Sequence, residues 1–440
     1  MSDIPALKLP GVTEEDFADA FQTLEECRID SVPAYGFVYP FFAPGGQYGP
    51  NWWNIDSSVA LRGYRWKDRL FAENSLRNFF VIQKEDGRIP LYGCDHVHPY
   101  DEDISSLPKL IEVAGRLAAE SDDGEFVEGC YRLIRNYLGW WLKYRRDEET
   151  GLVSAVFEET FVPYLRKSGE RLAVDTNVEI VAGLGEAAAL ARRLGDGRAA
   201  ERYEDLMREF SDAINRWLWD EEKGAYYPYL LTSKTHENFL MASAFLPLRK
   251  GIAPKERAER LVSLLTGKDF GWDTFPVFSA SRKDPQFTVT EGDYQFNASW
   301  SGSVWTLLNE AIVQGLKDSG YEQLAADLAY RTVMEFNAKY YEFLQPLNGS
   351  GQGVKRYAWT ASQYIRLIVE DIFGIAADAQ TKTVSVRPLL CKALRSGELS
   401  LTGVKLPDGG TLSVSIKDAE ASVSTQNTAY RAIVTQPFSS

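Results

Sequence analysis

The chain of 440 residues is poor in the side chains that most often bind metals or carry redox chemistry. It has three histidines and four cysteines, and the cysteines are far apart: Cys27, Cys94, Cys130 and Cys391. No C-x-x-C pair occurs, which argues against zinc and dithiol motifs. We therefore expect no metal site and no cofactor, and we expect buried free thiols in a reducing compartment.

Long hydrophobic runs and an excess of basic residues are also missing. The sequence has no run of 18 or more apolar residues, which is about the length that a membrane-spanning helix needs. The net charge of -14 argues against nucleic acid and anionic membranes as partners. The first residues have neither a basic nor an apolar signal segment, which predicts a cytoplasmic protein. A small molecule remains as the expected partner, and homo-oligomerisation stays open.

Aromatic residues, in contrast, are abundant, with 11 Trp, 22 Tyr and 23 Phe. Two aromatic segments near the C-terminal end stand out, at residues 299–305 and 340–360. The second contains a single carboxylate among rings, Glu342, followed by a Gly-rich loop. Rings stack on the apolar faces of sugars, and a carboxylate can activate water. The pattern favours carbohydrate chemistry, although aromatic residues could also simply fill a core.

Helical periodicity dominates from about residue 13 to residue 374 and predicts about twelve helices. Helix–turn–helix hairpins are expected around Gly195 and Gly320. Acidic turns that end at Gly87, Gly151 and Gly224 separate long helices at intervals of about one hairpin plus a loop. We predict an all-α domain of six hairpins closed into an (α/α)6 toroid. An open α-solenoid is the structural alternative.

After Gly374 the pattern changes to alternation, with a turn at residues 407–410. These features predict a short β-rich module packed on the helices. The predicted domains are residues 1–375 and 376–440.

Several motifs together resemble glycoside hydrolase family 63, which includes processing α-glucosidases and bacterial mannosylglycerate and glucosylglycerate hydrolases, with trehalase in the same clan. They occur in the expected order over most of residues 50–375. The motifs are W-W-N-I-D-S at 52–57, Q-K-E-D-G-R-I-P at 83–90, V-D-T-N at 174–177, W-S-G-S-V-W at 300–305, and Y-E-F at 341–343 with Y-A-W at 357–359.

The resemblance implies site residues. Glu342 matches the family's catalytic base, and the matches to sugar-binding positions are Asp56, Trp300, Gly302 and Trp305. The family's general acid is an Asp before the central helix, and this chain has no such Asp in the corresponding stretch. Glu159 lies nearest the expected position. The alternatives are Glu158, Glu170 and Asp175, of which Asp175 could instead cap the helix. Ser301 stands where the family often has Arg.

Physical reasoning from the residues adds to this set. Glu158 and Glu159 have apolar neighbours that would keep a carboxylic acid protonated, and in an extended segment one of the two would face the pocket. We expect Trp52, Trp53 and Trp359 to line the pocket. Polar contacts to sugar are expected from Arg88, Asp95, His96, Tyr294, Gln295 and Arg356.

The sequence thus predicts a glycosidase that cleaves a small α-glycoside, a glucoside or mannoside, with inversion. Its two carboxyl groups would then lie about 6.5–9.5 Å apart. A sugar epimerase or polysaccharide lyase on the same architecture is an alternative, with His96 or His236 in proton transfer. A non-catalytic α-helical carbohydrate-binding scaffold is the alternative outside enzymes.

Overall fold

The computed structural model describes residues 4–93, 104–156, 158–161, 171–289 and 300–437. Within these ranges α-helices account for most of the regular structure. In chain order they are α1 Glu14–Glu26, α2 Asn54–Tyr64, α3 Arg69–Ile82, α4 Lys109–Ala119, α5 Gly124–Tyr144, α6 Val174–Arg193, α7 Gly197–Trp217, α8 Lys255–Leu265, α9 Thr306–Asp318, α10 Glu322–Phe336 and α11 Ala358–Arg366. A 3-10 helix at Ala242–Gly251 lies between α7 and α8, and α11 continues as a π-helical segment at Leu367–Ile372.

The contacts between the inner helices form a closed series that begins and ends at α2. Helix α2 packs on α4, α4 on α6, α6 on the 3-10 helix, the 3-10 helix on α9, α9 on α11, and α11 again on α2. A second layer covers this circuit: α1 packs on α11, α3 on α2, α5 on α4, α7 on α6, α8 on the 3-10 helix and α10 on α9. The hairpins expected around Gly195 and Gly320 are confirmed as α6/α7 and α9/α10. Both glycines have a positive φ, +83° and +81°, the conformation that ends a helix most easily with Gly.

The inner helices carry charged side chains that are buried in the middle of the circuit. Arg62 of α2 pairs with Glu112 of α4 and with Glu370 of the π-helical segment, while Arg366 of α11 pairs with Glu310 of α9. Buried charges persist only when they are paired, and these pairs connect helices that are distant in sequence.

Short 3-10 helices lie at Pro33–Tyr35, Gly46–Tyr48, Lys268–Phe270 and Lys392–Leu394. The described residues also form eighteen strands, many of them only two residues long. They are β1 Ala6–Lys8, β2 Arg28–Ile29, β3 Phe41–Phe42, β4 Trp52–Trp53, β5 Tyr92–Gly93, β6 Arg171–Leu172, β7 Trp219–Asp220, β8 Ala225–Tyr226, β9 Tyr229–Leu230, β10 Thr235–His236, β11 Tyr341–Leu344, β12 Gly351–Lys355, β13 Ile375–Asp378, β14 Thr383–Val386, β15 Glu398–Lys405, β16 Thr411–Lys417, β17 Glu420–Gln426 and β18 Arg431–Val434.

The class all-α therefore understates the strands in the loops between helices. A two-residue strand shows no alternation in sequence, which is why the pattern did not predict the pairs β4/β5, β6/β9 and β11/β12. These pairs lie at the ends of the inner helices and carry several of the candidate site residues.

The C-terminal strands form two sheets, ordered β1–β15–β16–β17 and β13–β14–β18. The predicted turn at residues 407–410 joins β15 to β16. Strand β1 comes from the N-terminal end and pairs antiparallel with β15, a contact that the predicted division at residue 375 did not include. Buried apolar residues of the helices and of these sheets form one continuous core, as the burial of Trp141, Leu399 and Ile416 illustrates.

Candidate active site

Three carboxylates from different segments lie close enough together for the charge of one, Asp56, to affect the titration of the other two. Asp56 is in the first turn of α2, Glu158 is in the turn after α5, and Glu342 is in β11. Burial is the largest cause that raises the pKa of each one to about 7. The negative charge of Asp56 raises the pKa of Glu158, and the charges of Asp56 and Glu158 raise that of Glu342.

Glu158 and Glu342 both keep partly exposed side chains, although surrounding protein atoms desolvate them strongly. Carboxyl groups with raised pKa values that lie close together and keep some access to solvent are a frequent signature of catalytic sites. One such group can be protonated while another is ionised at neutral pH.

The hairpin β11/β12 positions Glu342. The strand pairing shifts register between Tyr341 and Phe343, so Glu342 occupies an irregularity that redirects its side chain. The backbone N–H of Val354 donates to Oε2 of Glu342 at 3.1 Å. Gly353 has φ +69°, and a Cβ there would lie 2.7 Å from that same Oε2. The hairpin therefore needs Gly353 both for its backbone conformation and for room beside the carboxylate.

A tyrosine from the start of α11 holds Asp56. The hydroxyl of Tyr357 donates to Oδ1 of Asp56 at 2.6 Å, and both side chains are buried. Burial raises the pKa of Tyr357, and the neighbouring charges of Asp56 and Glu342 raise it further. Asp56 is thus fixed in place beside the partly exposed pair Glu158 and Glu342.

Aromatic rings form a connected series around these carboxylates. Trp300 stacks on Trp305 with ring centroids 3.8 Å apart and planes 3° apart, and Trp305 meets Trp359 edge to face at 5.7 Å. Tyr357 then links Trp359 to Tyr48. The series continues at both ends: Phe161 stacks on Trp300, Phe343 contacts Trp305, and Trp53 lies between Tyr48 and Tyr92.

Two indole N–H groups in this series, those of Trp53 and Trp359, are buried without a hydrogen-bond partner in the described part of the chain, and so is the hydroxyl of Ser301. Buried polar groups are usually satisfied.

Glu158 and Glu159 differ sharply in their surroundings. Glu159 is fully buried, and Arg145 binds both of its carboxylate oxygens, at 2.9 and 3.1 Å. The backbone N–H groups of Ser105 and Val156 complete its contacts. Glu158 has no hydrogen bond or ion pair of its side chain within the described ranges, and its backbone has φ +66°. Glu158, not Glu159, therefore has a carboxyl group free to act on a ligand.

The carboxylate of Asp175 is also hydrogen-bonded by other groups of the protein. It is fully buried in the first turn of α6 and accepts hydrogen bonds from the Thr160 hydroxyl and from the backbone N–H of Phe161 and Thr176. The residue at the N-cap is Ala173, so Asp175 fastens the preceding turn and does not cap the helix.

Three other predicted site residues make contacts with the surrounding protein. Trp52 stacks on Phe37 in the core, because successive residues of β4 point to opposite sides. Arg88 is buried and donates to the carbonyl of Ile104, and Arg356 pairs with Asp19 and Glu26 of α1. Trp53, Trp300, Trp305 and Trp359 thus belong to the aromatic series beside the carboxylates, and the role of all seven residues in ligand binding stays a prediction.

Gly302 is required by close packing, since a Cβ there would lie 2.4 Å from the carbonyl oxygen of Thr288. The remaining candidates fall outside the described residues: Asp95, His96, Glu170, Tyr294 and Gln295.

Sequence reasoning missed Tyr357, Arg145, Tyr48 and Tyr92 as contributors to the site. Tyr357 belongs to the Y-A-W motif at 357–359, but nothing in a single sequence indicates that its hydroxyl contacts Asp56, which is 301 positions away. Arg145 lies at the end of α5, where a cation is expected simply to complement the helix dipole.

Within the described ranges, no group of three or more His, Cys, Asp and Glu side chains could hold a metal ion. His236, a candidate for proton transfer, is held between the carbonyl of Trp217 and the carboxylate of Asp220. In the same part of the chain, none of the helices is long and apolar enough to cross a membrane. Cys27, Cys130 and Cys391 are free, buried thiols.

A family model described as mannosylglycerate hydrolase MGH1-like glycoside hydrolase domain matches residues 49–160 and 164–360. These stretches cover more than half of the chain, which therefore belongs to this family of glycoside hydrolase domains. The family resemblance of the motifs is confirmed. The matched stretches leave out residues 161–163, directly after the turn that carries Glu158 and Glu159.

Curated relatives agree with this assignment. The chain is 30% identical to mannosylglycerate hydrolase of Rubrobacter radiotolerans over 187 residues, which are 42% of this chain and 40% of that protein. The match to periplasmic trehalase of Escherichia coli is 24% identical over 62% of this chain and 46% of that protein. The chain thus spans less than half the length of these relatives.

Solved structures share the fold. A GH63 mannosylglycerate hydrolase from Thermus thermophilus, in complex with Tris and D-glycerate, has a TM-score of 0.65 at 21% identity and covers 80% of this chain and 99% of that one. A GH78 family rhamnosidase of Bacillus sp. GL1 has a TM-score of 0.71 at 18% identity and covers 99% of this chain and 43% of that one.

Proposed function

We propose that the chain is an inverting glycosidase in which Glu158 is the general acid and Glu342 is the general base. The observation that carries the proposal is the convergence of Asp56, Glu158 and Glu342 within a series of aromatic rings. The closed circuit of paired helices supports the interpretation that these residues lie at one end of an (α/α)6 toroid.

In this mechanism Glu158 enters the reaction protonated. It gives its proton to the glycosidic oxygen while the bond between that oxygen and the anomeric carbon breaks. A water molecule attacks the anomeric carbon from the opposite face, and Glu342 takes one of its protons. The products are the free alcohol and a sugar of inverted anomeric configuration. Asp56 would bind sugar hydroxyls while Tyr357 holds it, and Trp300, Trp305 and Trp359 would contact the apolar sugar faces.

The proposal of Glu158 as acid departs from the expectation for Glu159. A general acid needs access to the leaving oxygen and a proton to give. The side chain of Glu159 is fully buried, and four hydrogen bonds occupy its carboxylate, two of them from the Arg145 guanidinium. Glu158 meets both requirements.

The relatives' name directs the choice of substrate toward a small α-mannoside or α-glucoside of an acidic alcohol such as glycerate. The guanidinium of Arg171 is a candidate to bind the carboxylate of an acidic leaving group. Its side chain is buried and pairs with Glu237, but its Nε and Nη1 have no partner in the described part of the chain. Arg171 also pairs through its backbone with Ala155, whose neighbours in the core include Trp300. The free thiols of the described cysteines support the proposed cytoplasmic location.

Hydrolysis of 2-O-α-mannosylglycerate and 2-O-α-glucosylglycerate tests the function directly, with proton NMR of the first-formed sugar. We expect the β-anomer first. Glu158→Gln and Glu342→Gln should each lower kcat by about 10²–10⁴ while the fold is retained. Glu201→Gln, an exposed carboxylate on α7, is the control. A first-formed α-anomer would contradict inversion, and full activity of Glu342→Gln would exclude it as the base.

Arg171→Gln tests the acidic leaving group. Loss of the guanidinium should raise KM for the glycerate glycosides about tenfold or more, since a charged hydrogen bond contributes roughly 1.5–3 kcal/mol. The KM for the corresponding methyl α-glycoside, which has no carboxylate, should stay within about twofold of wild type. An equal rise for both substrates would argue against carboxylate recognition by Arg171.

A further inference from the structure

We infer that Glu159 and Arg145 form a positioning pair that holds Glu158 in the orientation needed for proton donation. The inference rests on the proposed function, since it concerns the same acid. It assigns Glu159 a role in the reaction without contact between Glu159 and the substrate.

The turn that carries Glu158 has a backbone that needs support. A φ of +66° is unfavourable for a residue with a Cβ, and such residues persist only where surrounding contacts hold them. The backbone N–H of Leu107 donates to the carbonyl of Glu158 at 2.9 Å, and that of Glu159 donates to the carbonyl of Val156 at 3.1 Å. A relaxed turn would point the Glu158 side chain in a different direction.

Glu159 connects three segments of the chain below this turn. Its Oε1 accepts from the backbone N–H of Ser105 and from Nη2 of Arg145, at 3.0 and 2.9 Å. Its Oε2 accepts from the backbone N–H of Val156 and from Nε of Arg145, both at 3.1 Å. The segment before α4, the end of α5 and the turn itself therefore meet at one buried carboxylate.

The other end of the turn is fastened separately. Asp175 binds Thr160 and the backbone of Phe161, whose ring stacks on Trp300. The Asp175 contacts thus hold the aromatic side of the site, and the Glu159 contacts hold the side of the acid. Loss of the Glu159 contacts should affect proton donation in particular.

Leaving groups of different quality separate this role from a general structural one. An α-glycosyl fluoride needs little protonation to leave, whereas the alcohol of a glyceryl glycoside needs a well-placed acid. We propose to measure kcat/KM of wild type, Glu158→Gln, Glu159→Gln and Arg145→Lys on both substrates, with circular dichroism and thermal melts as checks of folding. Arg145→Lys keeps the charge but loses the two-pronged contact.

We expect Glu159→Gln to lower kcat/KM for the glyceryl glycoside about 10- to 100-fold, as small misplacements of a catalytic group do. The value for the fluoride should fall less than about threefold. Glu158→Gln should show the same selectivity with a larger loss, and Arg145→Lys a smaller one.

Glu120→Gln is the matched control, because Glu120 is fully buried and bound at both oxygens by Arg65, away from the site. It should lower the Tm without changing the ratio of the two kcat/KM values. If Glu159→Gln does not fold, the same ratio for Arg145→Lys decides the question.

Two results with an active wild type would overturn the inference but not the proposed function. Glu159→Gln could have unchanged kcat/KM on both substrates, or its kcat/KM could fall equally on both. If Glu158→Gln keeps full activity and Glu159→Gln has none, Glu159 is the acid, and this result would also overturn the inference. A wild type inactive on both substrates would overturn the proposed function, and the inference with it.

Discussion

Asp56, Glu158 and Glu342 form a group in which the charge of Asp56 acts on the titration of both glutamates. Burial raises the pKa of all three to about 7, and the negative charge of Asp56 raises the pKa of Glu158 and Glu342 further. Such coupled groups lose their protons in macroscopic steps that belong to the set and not to single residues. A single proton shared among them would leave one carboxyl as acid and another as base near neutral pH.

Asp56→Asn should therefore shift the pH dependence of activity. The substitution removes a negative charge, and without that charge the ionised forms of Glu158 and Glu342 become easier to reach, so both pKa values fall. We expect the whole bell-shaped profile of kcat/KM to move toward lower pH by about half a unit to one unit. The measurement is the pH at which kcat/KM is highest. Loss of a sugar contact alone would lower the maximal kcat/KM without moving that pH. An unmoved profile would show that the charge of Asp56 does not reach the pair.

At the scale of single elements, the irregular hairpin β11/β12 determines where the proposed base points. Gly353→Ala would introduce strain at φ +69° and would also bring a methyl group to within 2.7 Å of Glu342 Oε2. We expect kcat to fall at least tenfold, since a displaced catalytic group loses much of its effect. The Tm should fall modestly.

Gly403→Ala is the matched control for this prediction. Gly403 has φ +79° in β15, and a Cβ there would meet nothing within 4 Å. The control should share the backbone strain and the loss of stability but keep full activity. Equal kcat values for the two variants would refute a specific effect on Glu342.

How well the sequence predicts an element depends on whether its determinants are local. The hairpins α6/α7 and α9/α10 follow from periodic apolar residues and a terminal Gly, all within the segment itself. The positive φ of Glu158 depends on Leu107 and Ser105, about fifty residues away, so the expectation of an extended segment was wrong there. The local sequence therefore could not predict which of Glu158 and Glu159 has its carboxyl group bound by the protein. The prediction for Glu342 rests on aromatic neighbours that are all local in sequence.

At the scale of the whole molecule, the helical circuit and the C-terminal sheets share one core, and β1 extends the sheet from the other end of the chain. Further contacts cross this boundary: the backbone N–H of Ala379 donates to the carbonyl of Ala119, and ion pairs join Lys382 to Asp122 and Arg387 to Glu322. Regions that share a core unfold together when neither is stable alone.

A chain ended after Gly374 should consequently fail to fold as a monomer, although it keeps every proposed catalytic residue. Removal of the sheets would expose apolar side chains that are now buried, among them Ile368 and Ile372 at the end of the helical part, and would leave β1 without its partner. The full chain should show one thermal transition, coincident by circular dichroism and by tryptophan fluorescence, whereas the shortened chain should aggregate or lack a cooperative transition. As a control, a chain ended after Pro437 should melt like the full chain. Two separate transitions in the full chain, or an active shortened chain, would show that the helical part folds independently and that the sheets are an appended module.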